Sequence, residues 1–118
     1  MFYFFSAQQE LTGFNRTLCL AISYGGRDDI LQSCIEISKM LNNRDLTIEN
    51  IDENLLSKHT STGRLNIPDP DLIIRTSGEL RMSNFFLWQA AYSEFAFIDC
   101  LCKKIQIDQT KPIFISMK

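Results

Sequence analysis

From Thr17 to Ser23 (T-L-C-L-A-I-S) the chain alternates in a two-residue rhythm. Leu18, Leu20 and Ile22 fall on one face of an extended segment, and Cys19, Ala21 and Ser23 on the other. Neither face is strongly polar, as in a strand covered on both sides. Tyr24-Gly25-Gly26-Arg27 turns the chain out of this strand. Asp28 and Asp29 follow, and their carboxylates suit a helix N-terminus, where unpaired N–H groups and the dipole favour negative charge. Ile30, Cys34, Ile37 and Leu41, with Leu31 and Ile35 beside them, then recur at helical spacing and predict a core-facing stripe. Asn42-Asn43-Arg44-Asp45 ends it. Thr47 is the expected cap of a second helix, Ile48 to about His59, that buries Ile48, Ile51, Leu55 and Leu56.

Thr60 to Pro70 carries loop signals throughout. Leu72, Ile73 and Ile74 form a short apolar run bounded by polar residues, which predicts a buried strand. Asn84 to about Tyr92 is apolar nearly all round and predicts a buried or interfacial helix, with Phe85, Trp88 and Tyr92 on one face. Phe95 to Ile98 reads as a third short strand. The opening stretch is ambiguous: Q-Q-E-L, before Gly13, reads as the end of a helix. Strand, helices, strand implies a right-handed crossover between parallel strands. The pattern therefore predicts an α/β chain: an open, mainly parallel sheet with helices on its faces, in the order α-β-α-α-β-α-β. Beyond Asp99, alternating Ile105 and Ile107 and a brief Ile113-Phe114-Ile115 run resolve into no clear element.

A chain of 118 residues is at most one domain. Its net charge of −2 argues against general affinity for nucleic acid, which needs a basic face. No apolar run reaches the length of a membrane span, and the aromatic start M-F-Y-F-F is too short and lacks the basic opening of a signal peptide. Cys19, Cys34, Cys100 and Cys102 lack zinc-like spacing, so they read as buried reduced thiols, which points to the cytoplasm. The single histidine, His59, falls at a helix end and reads as a terminal charge more readily than as a catalytic base.

The chemistry concentrates between Asp71 and Phe85 (D-L-I-I-R-T-S-G-E-L-R-M-S-N-F). Two arginines, Arg75 and Arg81, follow the predicted strand, with Thr76, Ser77 and Ser83 around them and Gly78 to allow a tight turn. A guanidinium is a planar fork of donors that stays charged at any ordinary pH, so two of them with hydroxyls suit a phosphate group. The same run also reads as a solvated loop whose arginines pair with Glu79 and nearby carboxylates. Composition alone leaves these two readings level. If the crossover holds, the Gly25-Gly26-Arg27 turn and the Arg75 run lie at the carboxyl ends of neighbouring strands, the edge where open α/β sheets bind ligands.

Continued through L-W-Q-A-A-Y-S-E-F, this stretch resembles the C-terminal signature of the cis-prenyltransferases, typified by undecaprenyl diphosphate synthase. Y-G-G-R at Tyr24 to Arg27 is a second match in the right order, and the family pattern runs from Glu10 to Asp99. In the family the position of the first residues is the tail of a helix that starts further upstream. The resemblance implies condensation of isopentenyl diphosphate with an allylic diphosphate to make cis double bonds. It assigns the isopentenyl diphosphate grip to Arg75, Arg81 and Ser83, magnesium (Mg²⁺) to Glu94, and a scaffolding turn to Gly25, Gly26 and Arg27.

The resemblance also implies what is missing. Family members carry an H-x-x-D-G-N-G-R-W-like segment with an essential aspartate and an F-S-x-E-N-W-like loop; neither is found in Met1 to Arg16. Much of the tunnel for the growing chain and an arginine-rich C-terminal segment are absent too, and Cys100 to Lys118 resembles no family element. The resemblance thus implies a fragment of the family's open, mainly parallel sheet, with residues 1–99 the C-terminal part of the cis-prenyltransferase domain and 100–118 a divergent tail. No catalytic residue is expected within the chain, and alone it is expected to be inactive. Its expected partners are the two diphosphates and either a second copy, as a homodimer, or the missing N-terminal half. A non-catalytic diphosphate-binding or dimerisation module, or an inactive remnant, is the alternative.

Overall fold

The central strand β3 (Leu72–Thr76) carries the site, and the helix α1 (Gly26–Asn42) abuts the loop that follows this strand. The computed structural model describes residues 3–11, 14–99 and 113–116. Strands β1 (Tyr3–Leu11) and β2 (Phe14–Ile22) form an antiparallel pair. After α1 come a single 3₁₀ turn (Ile48–Asn50), the short helix α2 (Glu53–His59) and a second 3₁₀ turn (Gly63–Leu65). Strands β3, β4 (Glu94–Ile98) and β5 (Ile113–Ser116) then make a parallel sheet in the order β4-β3-β5. A small parallel sheet with helices is the α/β architecture that the hydrophobic pattern predicts.

The element order differs from expectation at both ends and in the middle. Residues 3–11 are a strand and not a helix tail, because Tyr3, Phe4 and Phe5 are strong strand formers and pair with Leu20, Ala21 and Ile22. Gly13, the expected helix stop, lies outside the described residues. β2 consequently belongs to a separate two-stranded sheet, and β3 takes β5 on its second edge. Of the tail, residues 113–116 are thus strand; residues 100–112 and 117–118, with Cys100 and Cys102, lie outside the described residues.

The second predicted helix is divided. Thr47 and Asn50 close a capping box over one 3₁₀ turn, and α2 starts afresh where Asp52 accepts a hydrogen bond from the Leu55 amide at 2.7 Å. Ile48 and Ile51 are therefore exposed, against expectation. The segment 84–92 is a run of turns and not a helix. Asn84 and Phe86 have φ of 66° and 47°, outside the helical region, which breaks the i to i−4 ladder. Its buried residues are Phe86, Gln89 and Ala90, while Tyr92 is 97% exposed.

On α1 the buried stripe is Gly26, Asp29, Ser33 and Ile37. Of the apolar stripe read from the sequence Ile37 is buried and Ile30 and Leu41 half-buried, while Cys34, with Leu31 and Ile35, faces outward, so the buried face is rotated away from that side and Cys34 is an exposed thiol. Two forces set this rotation. Ser33 Oγ donates to the carbonyl of His59 at 2.9 Å, and Asp29 gathers donors from three other segments. The apolar core beside this polar face is small: Ile73 of β3 with Phe86 and Ala90, flanked by Tyr24, Met82 and Phe85.

Candidate functional site

Arg75 ends the apolar run of β3 and is itself buried, at 8% exposure. In the parallel register Ile73 stands beside Phe95 and Arg75 beside Phe97, so these four share one face of the sheet. With Arg81, Met82 and Phe85 they line a shallow, half-open cavity. The surface it exposes is apolar, with Arg75 and Arg81 among the residues that border it. A buried guanidinium needs partners, and Arg75 Nη1 donates to the Arg81 carbonyl, which holds the following loop against the strand.

Arg81 is exposed, and its Nη2 lies 2.6 Å from Glu79 Oε2. The solvated-loop reading is thus right for Arg81 and wrong for Arg75. An exposed pair of this kind contributes roughly 0.2–1 kcal/mol, so a stronger anion can displace Glu79 from Arg81. Ser83 is exposed on the same loop with φ 48°. The structure therefore brings Arg75 and Arg81 to one cavity, whereas Ser83, two residues further along the loop, is not among the residues that line it.

Glu94 is not brought there. It opens β4 opposite Leu72, at the amino end of the sheet, three residues short of Phe97 beside Arg75. That is roughly 10 Å along the strand. Among the described residues no three histidine, cysteine or acidic side chains cluster to hold a metal ion. Glu94 is a single exposed carboxylate. His59 sits at the C-terminus of α2 with Nδ1 3.2 Å from Glu36, which also takes Arg64; it is remote from the cavity's lining.

Although β2 does not join the sheet of β3, the Y-G-G-R turn still reaches the arginine loop. Tyr24 packs edge-on against Phe85 and Phe86, with ring centroids 5.8 and 5.1 Å away, and those two rings stack at 4.2 Å. The Tyr24 hydroxyl donates to Asp29 Oδ2 at 3.0 Å. Burial first, and then the charge of Asp29, push the Tyr24 phenol well above its ordinary range. Asp29 is 1% exposed and accepts further bonds from the Ser61 amide and hydroxyl at 2.8 and 2.7 Å and from Gln89 Nε2 at 3.1 Å. Gln89 Nε2 also donates to Thr62 Oγ1.

Sequence reasoning missed this hub. Asp28 and Asp29 look alike as helix-opening acids, and Ser61, Thr62 and Gln89 carry no motif of their own. Asn84 was missed as well, though a signal existed. Gly25 caps α1 with no side chain to offer, so the first amides of the helix must find an acceptor elsewhere.

Fold and site together define an α/β unit with a shallow cavity, bordered by two arginines, on one face of its parallel sheet. Residues 4–116 match the family model described as "Putative undecaprenyl diphosphate synthase", and the chain belongs to that family, the cis-prenyltransferases. It is 50% identical over 94 residues to an isoprenyl transferase of Chlorobaculum tepidum, a match covering 78% of this chain and 35% of the relative. Against the geranylgeranyl-diphosphate-specific tritrans,polycis-undecaprenyl-diphosphate synthase of Methanocaldococcus jannaschii the identity is 42%, with 79% and 34% covered. Among solved structures, lavandulyl diphosphate synthase from Lavandula x intermedia in complex with dimethylallyl diphosphate superposes with a TM-score of 0.62 at 42% identity, over 64% of this chain and 32% of that one. A probable undecaprenyl diphosphate synthase from Campylobacter jejuni gives 0.55 at 30% identity, over 72% and 36%. The chain spans about a third of the length of these relatives.

Proposed function

We propose that this chain is the isopentenyl diphosphate-binding part of a cis-prenyltransferase, which joins isopentenyl diphosphate to an allylic diphosphate. The observation that carries the reading is Arg75: a buried cation that holds the Arg81 loop and shares with it an otherwise apolar cavity. Arg75 and Arg81 take the diphosphate oxygens and Ser83 adds a hydroxyl donor. The phenylalanines and Met82 receive the hydrocarbon part of the substrate. A diphosphate exchanges the weak Glu79 partner of Arg81 for a charge-assisted fork.

Each such contact is worth roughly 1.5–3 kcal/mol, so Arg81→Ala weakens isopentenyl diphosphate binding by about one to two powers of ten. Arg81→Lys recovers only part of it, because an ammonium keeps the charge and loses the fork. Calorimetric titration of wild type and both variants decides this. Equal affinities across the three would sink the cradle.

Magnesium is expected at Glu94 from the family resemblance alone: a carboxylate at the opposite end of the sheet from Arg75, roughly 10 Å along the strand, does not fit a metal that shares the oxygens of a diphosphate held by Arg75 and Arg81. The 118 residues contain no aspartate segment for the second diphosphate, and one bound reactant without the other cannot be oriented for transfer. By themselves they do not elongate. Incubation with farnesyl diphosphate, isopentenyl diphosphate and Mg²⁺ tests this, and steady formation of polyprenyl diphosphate would refute it. The same reading places the protein in the cytoplasm; among the described residues no helix is long and apolar enough to cross a membrane.

A second reading, a non-catalytic dimerisation module, is favoured by one feature. Tyr92, Phe95 and Phe97 are exposed in consecutive segments, as an unpartnered contact surface would leave them.

A further inference from the structure

We infer that Asn84 is a positioning residue for the diphosphate cradle: it pins the Arg81–Ser83 loop onto the first turn of α1. The inference rests on the cradle reading above. Two bonds make the pin. The Gly26 amide donates to the Asn84 carbonyl at 2.7 Å, and the Arg27 amide donates to Asn84 Oδ1 at 2.9 Å. These are opening amides of α1, and Gly25 at the cap offers them no side-chain acceptor. Asn84 is therefore the N-terminal cap of a helix that lies 57 residues earlier in the chain.

The loop needs such a tie. Ser83, Asn84 and Phe86 all have φ between 47° and 66°, a region that costs a residue with a Cβ free energy, and least so for asparagine. Three such residues in four positions hold only where neighbours over-determine them. Phe86 is fixed by burial against Tyr24 and Phe85, and Asn84 by its two bonds to α1. Space is cleared for this contact. A Cβ on Gly25 would come 2.9 Å from Asn84 Nδ2, and one on Gly26 would come 3.1 Å from the Asn84 carbonyl and 3.0 Å from the Leu87 amide nitrogen. Both glycines of Y-G-G-R are thus accounted for by close approach to the cradle loop. Ser83 precedes Asn84 directly, and the Arg81 carbonyl already receives Arg75. The loop is therefore held at both ends, by Arg75 on β3 and by α1 through Asn84.

Two variants separate side chain from backbone. Asn84→Gly keeps the positive φ and the carbonyl bond but removes Oδ1. Asn84→Asp keeps an acceptor at Oδ1. Each is followed by hydrogen exchange at the Gly26 and Arg27 amides and by calorimetric titration with isopentenyl diphosphate. The expected result is faster exchange at Arg27 and about tenfold weaker binding in Asn84→Gly, with Asn84→Asp within about threefold of wild type in both. Wild-type exchange and affinity in Asn84→Gly would overturn the inference, as would an Asn84→Asp protein that loses as much as Asn84→Gly. If wild type binds and Arg81→Ala abolishes binding while Asn84→Gly does not weaken it, the cradle stands and the pin falls. If wild type itself gives a flat titration, the cradle reading fails, and the positioning role falls with it.

Discussion

Asp28 and Asp29 are neighbours in sequence and opposites in environment. Asp28 is half-exposed and touches Gln32 at 3.4 Å, whereas Asp29 is buried under four donated hydrogen bonds. Asp29→Asn replaces one accepting oxygen by an amine that faces donors. It should cost about 3 kcal/mol, the scale of a buried charged acceptor lost from its partners. Asp28→Asn should stay within about 0.5 kcal/mol. Urea unfolding of the two variants measures both; equal midpoints would dissolve the hub. Tyr24 supplies the pH dependence. Its folded-state pKa is raised, so the folded protein retains a proton that the unfolded chain releases above about pH 10. The stability this represents is complete below that pH and is lost as pH rises beyond it. Tyr24→Phe should be less stable at neutral pH, through the lost bond to Asp29, yet lose less between about pH 10 and 11.5 than wild type. Thermal melts across that range test it, and parallel losses would contradict the assignment.

At the scale of elements, the helix α1, the strand β3 and the strand β4 were legible from spacing alone. The face of α1 was legible only in part: Ile37 is buried and Cys34 is not. Counting apolar positions selects Ile30, Cys34, Ile37 and Leu41, but a helix turns toward whatever its neighbours offer, and α2 and the Ser61–Thr62 segment offer donors for Asp29 and an acceptor for Ser33. Likewise the apolar run 84–92 has the composition of a helix. Its first residues are committed elsewhere: the carbonyl and side chain of Asn84 serve α1, which leaves the run no regular start. Arg75, Arg81 and Ser83 could be proposed together from the sequence because they fall within one short stretch, from the end of β3 into the loop after it. Glu94, assigned by resemblance, lies at the other end of the sheet, and nothing in its local sequence says so.

For the whole molecule the partition of the strands matters most. Among the described residues β2 pairs on one side only, with β1, and Leu20 and Ile22 stand half-exposed on it. The outward face of α1, with Leu31 and Ile35, is also open. Unpaired backbone and uncovered apolar faces invite association. The isolated chain is expected to form oligomers or aggregates, and a monodisperse monomer by light scattering with a cooperative melt would count against this. The sequence by itself determined the α/β class, the helix after Y-G-G-R, the two parallel strands around the arginine loop and the family, because these follow from periodicity and from motifs a few residues long. Only the tertiary structure decided that β5 lies beside β3 while β2 pairs with β1, that Asp29 is an interior hub, and that Asn84 caps a helix far earlier in the chain. Strand pairing and buried hydrogen bonds join segments tens of residues apart, and their partners are chosen by which unsatisfied groups meet once the chain has closed on itself.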